Sequence, residues 1–323
     1  MKPFFSLLLA VCVVLTAGAA LAKDKKRRDL EEIGNRDVGR GINFYSIEKE
    51  IALGRQLAQE VQRQAKMADD PIIGEYINRL GQNLVRNSDA KIPFTFQIVD
   101  AQQFNAFALP GGFICVNSGL IRATESESEL AGALAHEIAH VTARHMTRQA
   151  TRSRIAEYAT LPMVLLGGWG GYAARQAAGL MIPMSYLSFS RAFESEADMY
   201  GLQYMYKAGY DPTASIDLFE RMLTLEIRRP GTIAKVFQSH PMTEDRIRKT
   251  QRDIAETLPD RQEFVVTTSE FNEMRARTVE LYFYRKREEK DPGRPRLRKD
   301  PSAGEKAEAE DGHPVLKRRD LVE

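Results

Sequence analysis

The stretch "ALAHEIAHVTARH" begins at Ala133 and sets His136 and His140 four residues apart, with Glu137 directly after the first. At about 100° per residue, positions i and i+4 share one face of a helix. Leu130, Leu134, Ile138 and Val141 fall in a separate apolar stripe, and the residues beside the two histidines are small: Ala133, Ala139 and Ala143. Two imidazoles therefore project into space that no large side chain fills. Such a pair brings two ring nitrogens to adjacent corners of a zinc tetrahedron. Glu137 lies beside the pair, where it can take a proton from water whose pKa the metal lowers to about 7. The plain alternative is a solvated helix face that carries His, Glu and His by chance. His145 does not suit the role of third ligand, because a metzincin pattern needs glycine at Ala143 and histidine at Met146. Helical spacing puts His145 in the leucine stripe, as a packed supporting residue.

A catalytic zinc needs a third protein ligand and an open position. "RAFESEADMYG" begins at Arg191 and places Glu194 and Asp198 on one helix face, with Glu196 pointing the other way. Glu194 is the candidate ligand. Asp198 is placed to accept the second N–H of a liganding histidine and fix its tautomer. Ala197 lets two helices approach closely. A salt-bridged amphipathic helix is the ordinary reading of such an acidic cluster. In "SHPMTEDRI", from Ser239, His240 precedes a proline and a helix start at Thr243 or Glu244. Folded back onto the metal, it could stabilise a developing oxyanion or cap the ion.

These residues need elements to position them. Ser46 to Arg86 reads as two helices broken near Asp69-Asp70-Pro71, with Gly81 near a helix end. Phe94 to Val99 and Phe113 to Asn117 read as strands, the second joined to the stretch before it by Pro110-Gly111-Gly112. Thr124 with Glu127, or Ser126 with Glu129, can box the start of the motif helix. Helices run from Ser190 to Arg228 and from Thr243 to Thr257. Leu161 to Leu187 is apolar but interrupted by Arg175, Gln176, Pro162 and Pro183, which favours a flap near the site over a membrane span.

The chain has 323 residues, 28% charged and 43% hydrophobic, with a net charge of +2, which gives no case for nucleic acid as a partner. Residues 1–22 read as a signal peptide cut after Ala22; Cys12 sits inside its apolar run, so a lipoprotein is not expected. Residues 23–40 read as a linker, 41–284 as the catalytic domain and 285–323 as a charged, disordered tail. Cys115 alone remains after the leader, so stability comes from packing rather than a disulfide.

Taken together these residues resemble the gluzincin family that includes HtpX, the CAAX prenyl proteases and periplasmic BepA-like proteins. The resemblance rests on His-Glu-x-x-His with Val141 and Arg144-His145, on Glu-x-x-Ala-Asp, on the late His-Pro with Arg-Ile, and on "NAFALPGGFICVNSGLI" from Asn105. It covers about Ser46 to Leu258. It implies an α+β, mainly α-helical, zincin-like metallopeptidase domain, with a small β-sheet edge beside a zinc-binding helix pair. It implies one zinc on His136, His140 and Glu194, Glu137 as base, Asp198 in support and Arg246 as a structural arginine. His240 would match a histidine that fills the fourth zinc position or stabilises the transition state. The membrane-spanning relatives carry several spans that this chain lacks, so it looks like the soluble secreted branch. Asn105, Ala106, Phe107 and Ala108 are the candidate substrate edge, pairing with an extended peptide; a plain core hairpin is the alternative.

The expectation is a periplasmic zinc metalloendopeptidase of protein quality control. Its substrates would be unfolded or misassembled polypeptides, with outer-membrane proteins or their assembly machinery among the candidate partners. Membrane contact would leave no span after signal cleavage. The rival is a zinc-bound envelope chaperone or binding protein with a self-capped, mostly inactive site.

Overall fold

The computed structural model describes residues 29–165, 189–228, 240 and 243–290. The expected signal peptide, most of the expected flap and most of the expected tail lie outside the described residues. Two helices come first: α1, Ile47–Gln64, and α2, Pro71–Arg86. The break between them falls where the sequence puts it. Asp70 accepts hydrogen bonds from the N–H groups of Ile72 and Ile73, and Pro71, whose missing N–H costs nothing there, opens α2.

Strands β1 (Thr95–Val99), β2 (Ala106–Leu109) and β3 (Phe113–Asn117) form one sheet in the order β1-β3-β2. β3 runs parallel to β1 and antiparallel to β2, with Phe107 opposite Cys115. The tight return at Pro110–Gly112 needs positive φ at Gly111 (73°) and Gly112 (93°), which glycine adopts without penalty. Gly81, expected near a helix end, instead lies inside α2. A Cβ there would stand 2.3 Å from Phe96 Cζ, so the glycine lets β1 press against the helix. β2 is an edge strand. Asn117 N–H donates to the Asn105 carbonyl, and the antiparallel alternation then turns the backbone groups of Ala106 and Ala108 outward.

The short helix α3 (Ser118–Ala123) leads into α4 (Glu127–Thr142), which carries the first motif. Ser126 caps α4 by accepting Glu129 N–H, and the Glu129 carboxylate accepts Glu125 N–H, one residue earlier than a regular capping box. Leu130, Leu134 and Ile138 are fully buried. The chain leaves α4 at Ala143, and Arg144 takes φ 55°, the one positive φ of a non-glycine among the described residues. Arg144 is held there by Glu50 Oε2 and the Tyr45 carbonyl, both at 2.7 Å. His145 thus opens a new helix, α5 (His145–Leu165), rather than riding in the leucine stripe of the motif helix.

Helix α6 (Arg191–Ala208) lies against α4. Ala197 is fully buried between them, and a Cβ on Gly201 would sit 3.2 Å from His136 N, so the two backbones touch. Helices α7 (Ala214–Arg228), α8 (Glu244–Thr257) and α9 (Ser269–Lys290) follow. α9 runs past Arg285, where the sequence suggests a disordered tail. The chain divides into two compact units, residues 1–279 and 280–323. Before α9, residues 265–268 strap the start of α4: Val266 O accepts Ser128 N–H, Thr267 Oγ1 accepts Glu127 N–H, and Thr268 donates to the Glu127 carboxylate. Among the described residues no helix is long and apolar enough to cross a membrane.

Residues 29–40 fall in the stretch expected to be a linker, yet part of it is core. Val38 is buried, and Arg36 binds Asp89 through two nitrogens while donating to Gln203 Oε1 at 2.6 Å. Both side chains of the Arg36–Asp89 pair are almost wholly buried. Charged residues read as linker by composition; an ion pair with a residue 53 positions away leaves no trace in local sequence. Replacing Arg36 with Ala would leave the buried Asp89 carboxylate with the Gly34 N–H and the Tyr204 hydroxyl but no opposing charge, so we expect a loss of about 3 kcal/mol in urea unfolding. An unchanged midpoint would mean that residues 29–40 are not part of the folded unit.

Candidate metal centre

His136 and His140 on α4, Glu194 on α6 and His240 before α8 converge. One donor atom from each lies within 4.8 Å of all the others. The Nε2 atoms of His136 and His140 are 3.0 Å apart, and His240 Nδ1 is 3.3 Å from His136 Nε2 and 2.9 Å from Glu194 Oε1. Glu194 oxygens lie 3.5 Å from His136 Nε2 and 3.6 Å from His140 Nε2.

The surrounding hydrogen bonds fix where the ring protons sit. His145 Nε2 lies 3.2 Å from Glu196 Oε2, so it carries the proton and donates. Burial holds His145 below its ordinary pKa, hence neutral, and its Nδ1 is an acceptor. His140 Nδ1, 3.0 Å away, must then be the donor, which leaves His140 Nε2 bare and facing the cluster. His140 is likewise pushed well down, by burial first and by His136 second. Asp198 Oδ1 is 3.0 Å from His136 Nδ1, which holds a proton on that nitrogen and aims Nε2 at the cluster. Burial disfavours charge on His136, but Asp198 and Glu194 together outweigh it and lift the ring to about 10 without metal.

Without metal, the two Nε2 atoms, 3.0 Å apart, share the proton that His136, with its raised pKa, retains; a cation displaces that proton and takes a lone pair from each ring. Zinc–nitrogen bonds of about 2.0–2.1 Å give a tetrahedron with edges of roughly 3.4 Å, close to the separations here. Charge gives the same answer. Glu137, Glu194 and Asp198 are all buried, and Arg246 is the cation that reaches them, with Nη2 2.7 Å from Asp198 Oδ1 and Nη1 3.0 Å from Glu194 Oε2. With both imidazoles neutral, as metal ligands must be, three carboxylates against one guanidinium leave two negative charges, which a divalent ion neutralises. The residues present fit zinc.

Glu137 stands outside the four-donor set. Its Oε2 accepts Ala108 N–H at 2.8 Å, and its Oε1 is 3.4 Å from His240 Nε2. Burial, partly opposed by His240 and His136, raises its pKa above the usual carboxylate range. Of the candidate edge residues, Ala106 and Ala108 present backbone outward, whereas Asn105 and Phe107 face β3. Arg246 clasps Asp198 and Glu194 from α8. For Glu196 the helical spacing predicts only that it points away from the metal face. It does point away, and there it orients His145, with Arg148 Nη1 3.3 Å from the same oxygen. No local signal could find this link, because it depends on the break at Ala143.

Residues 72–254, more than half the chain, match peptidase family M48. The chain belongs to that family. Metallopeptidases of family M48 use zinc, in agreement with the donor set. This M48 chain is 34% identical over 249 residues to a putative β-barrel assembly-enhancing protease of Vibrio cholerae, covering 74% of this chain and 50% of that protein. It is 30% identical over 246 residues to the β-barrel assembly-enhancing protease of Escherichia coli K12, covering 73% and 50%. Mitochondrial metalloendopeptidase OMA1 of Schizosaccharomyces pombe is 33% identical over 192 residues, covering 58% and 53%. The chain spans about half the length of these curated relatives.

Metal analysis should find one zinc per chain, lost in His136→Ala and in His140→Ala. Glu196→Gln, which touches no donor atom, should weaken zinc binding about 10–100-fold through the tautomer of His140. Unaltered affinity in a chelator competition would refute that chain of protons.

Proposed function

We propose that this chain is an exported zinc endopeptidase acting on unfolded or misassembled envelope polypeptides. The observation that carries the reading is Glu137: a buried carboxylate of raised pKa, touching the outward edge of β2 on one side and bordering the four-donor cluster on the other. His136, His140 and Glu194 would hold the ion, which when bound supplies Lewis acidity toward a peptide carbonyl and acidifies water.

The protein's own groups do the rest. Ala106 and the Ala108 carbonyl offer outward backbone to an extended peptide, a contact with main chain rather than side chains that suits unfolded substrates. Glu137 takes a proton from the attacking water and returns it to the leaving amine. Asp198 and Arg246 keep His136 and Glu194 oriented. His240 holds the remaining corner of the donor set and must withdraw for a substrate carbonyl to enter; its other nitrogen faces Glu137, so the same movement uncovers the base. The envelope as workplace is supported by the names of the β-barrel assembly-enhancing relatives and by the signal-peptide pattern read in residues 1–22.

Glu137→Gln should keep stoichiometric zinc and lose at least about 10²-fold in cleavage of an unfolded protein such as reduced casein. Full activity in that variant would refute the assigned base. His240→Ala should keep zinc and cleave several-fold faster; slower cleavage would assign His240 to transition-state stabilisation instead.

A further inference from the structure

A second hollow opens beside Glu137. A cavity of about 50 Å³ lies between α4, α7 and the chain entering β2. His136 and Glu137 form one wall, and Ala133, a turn earlier on α4, continues it. Leu120 and Phe104 close one side; Leu218, Phe219 and Met222 close the other. Arg246 also reaches the cavity, but its guanidinium is committed to Asp198 and Glu194 and lies 5.0 Å from the centre of the Phe219 ring. Ala133 and Met222 are the half-buried members of an otherwise well-buried apolar lining.

We infer that this cavity receives one of the two side chains flanking the scissile bond and selects compact aliphatic ones, with Ala133 and Met222 setting its size. The inference rests on the proteolytic reading above. Asn105 and Ala106 line both the cavity and the start of the edge strand. A peptide laid along that edge sends alternate side chains to opposite sides, and the one level with Glu137 falls into the hollow. About 10–15 Å³ on the same measure holds one water, so roughly three to five non-hydrogen atoms fit. Valine, leucine and methionine meet that limit; phenylalanine and tryptophan exceed it. Any charged side chain would give up its water against walls that are mostly apolar, which disfavours both signs of charge. Unlike an edge that reads only backbone, this site gives the enzyme a side-chain preference.

The test uses the zinc-loaded full chain and two readouts. The first is cleavage of a mixed peptide pool, with the cut positions read by mass spectrometry. The second is competition binding of peptide hydroxamates carrying either an isobutyl or an indolylmethyl group, which needs zinc but no turnover. The wild type should favour leucine over tryptophan beside the cut, and isobutyl over indolylmethyl, by at least about tenfold. Ala133→Leu should lower the leucine-to-alanine cleavage ratio about tenfold, and Met222→Ala should raise the tryptophan-to-leucine ratio by a similar factor. Cleavage with no side-chain preference, or equal binding of both hydroxamates, overturns the inference and leaves proteolysis standing. Selective hydroxamate binding with no peptide cut supports the cavity and sinks the proteolytic reading instead.

Discussion

The metal centre depends on how closely α4 and α6 approach. Ala197 is wholly buried at their contact, and Gly201 leaves no room for a Cβ against the His136 backbone. Larger residues there would hold the helices apart and carry Glu194 out of reach of both rings. From that contact the remaining placements follow. Asp198, one turn beyond Glu194, meets the far side of the His136 ring. Arg246, clasping Asp198, ties the start of α8 to α6, and His240 lies just before that helix. A carboxylate on one helix and two imidazoles on another become a single donor set because two small residues remove the space between them.

Around this contact runs a buried chain of polar groups, each with one workable orientation. Glu196 orients His145, His145 orients His140, and Asp198 orients His136. Buried networks of this kind rigidify when complete and are costly when broken, since each lost partner strands another group away from water. Arg148 beside Glu196 and Arg246 beside Asp198 keep both ends of the chain neutralised. The protein thus positions its ligands by charge and proton direction as well as by shape, and Phe189, stacked on the His140 ring with centroids 4.1 Å apart, covers the arrangement from outside.

Much of this was legible in the sequence. The spacing of His136 and His140, the pairing of Glu194 with Asp198 and the isolated His240 point to a common centre, because helical periodicity converts sequence spacing into direction. The helix starts near Ser190 and Thr243, the cap at Ser126 (one of two candidates) and the break at Asp70-Pro71 are local chemistry, and the structure has each of them. What stayed hidden is non-local. Gly81 looks like a helix end until Phe96 from a strand fills the space beside it. Arg36 looks like part of a charged linker until Asp89 buries it. His145 seems to continue a helix that in fact stops at Ala143, since the left-handed turn at Arg144 is enforced by Glu50 and Tyr45 from far upstream. Helix α9 carries so weak an apolar stripe that periodicity gives it no voice.

The strap over the start of α4 has a consequence for how the protein is made. Glu127 N–H is satisfied by Thr267, 140 residues downstream. When the ribosome has released the two motif histidines, their helix still lacks partners for its first amides, and the carboxylate that closes the donor set has yet to be synthesised. Contacts of such long sequence separation form slowly. A nascent chain therefore presents an incomplete centre until nearly the whole domain has emerged, so the donor set closes only once the protein has stopped being an unfolded chain itself.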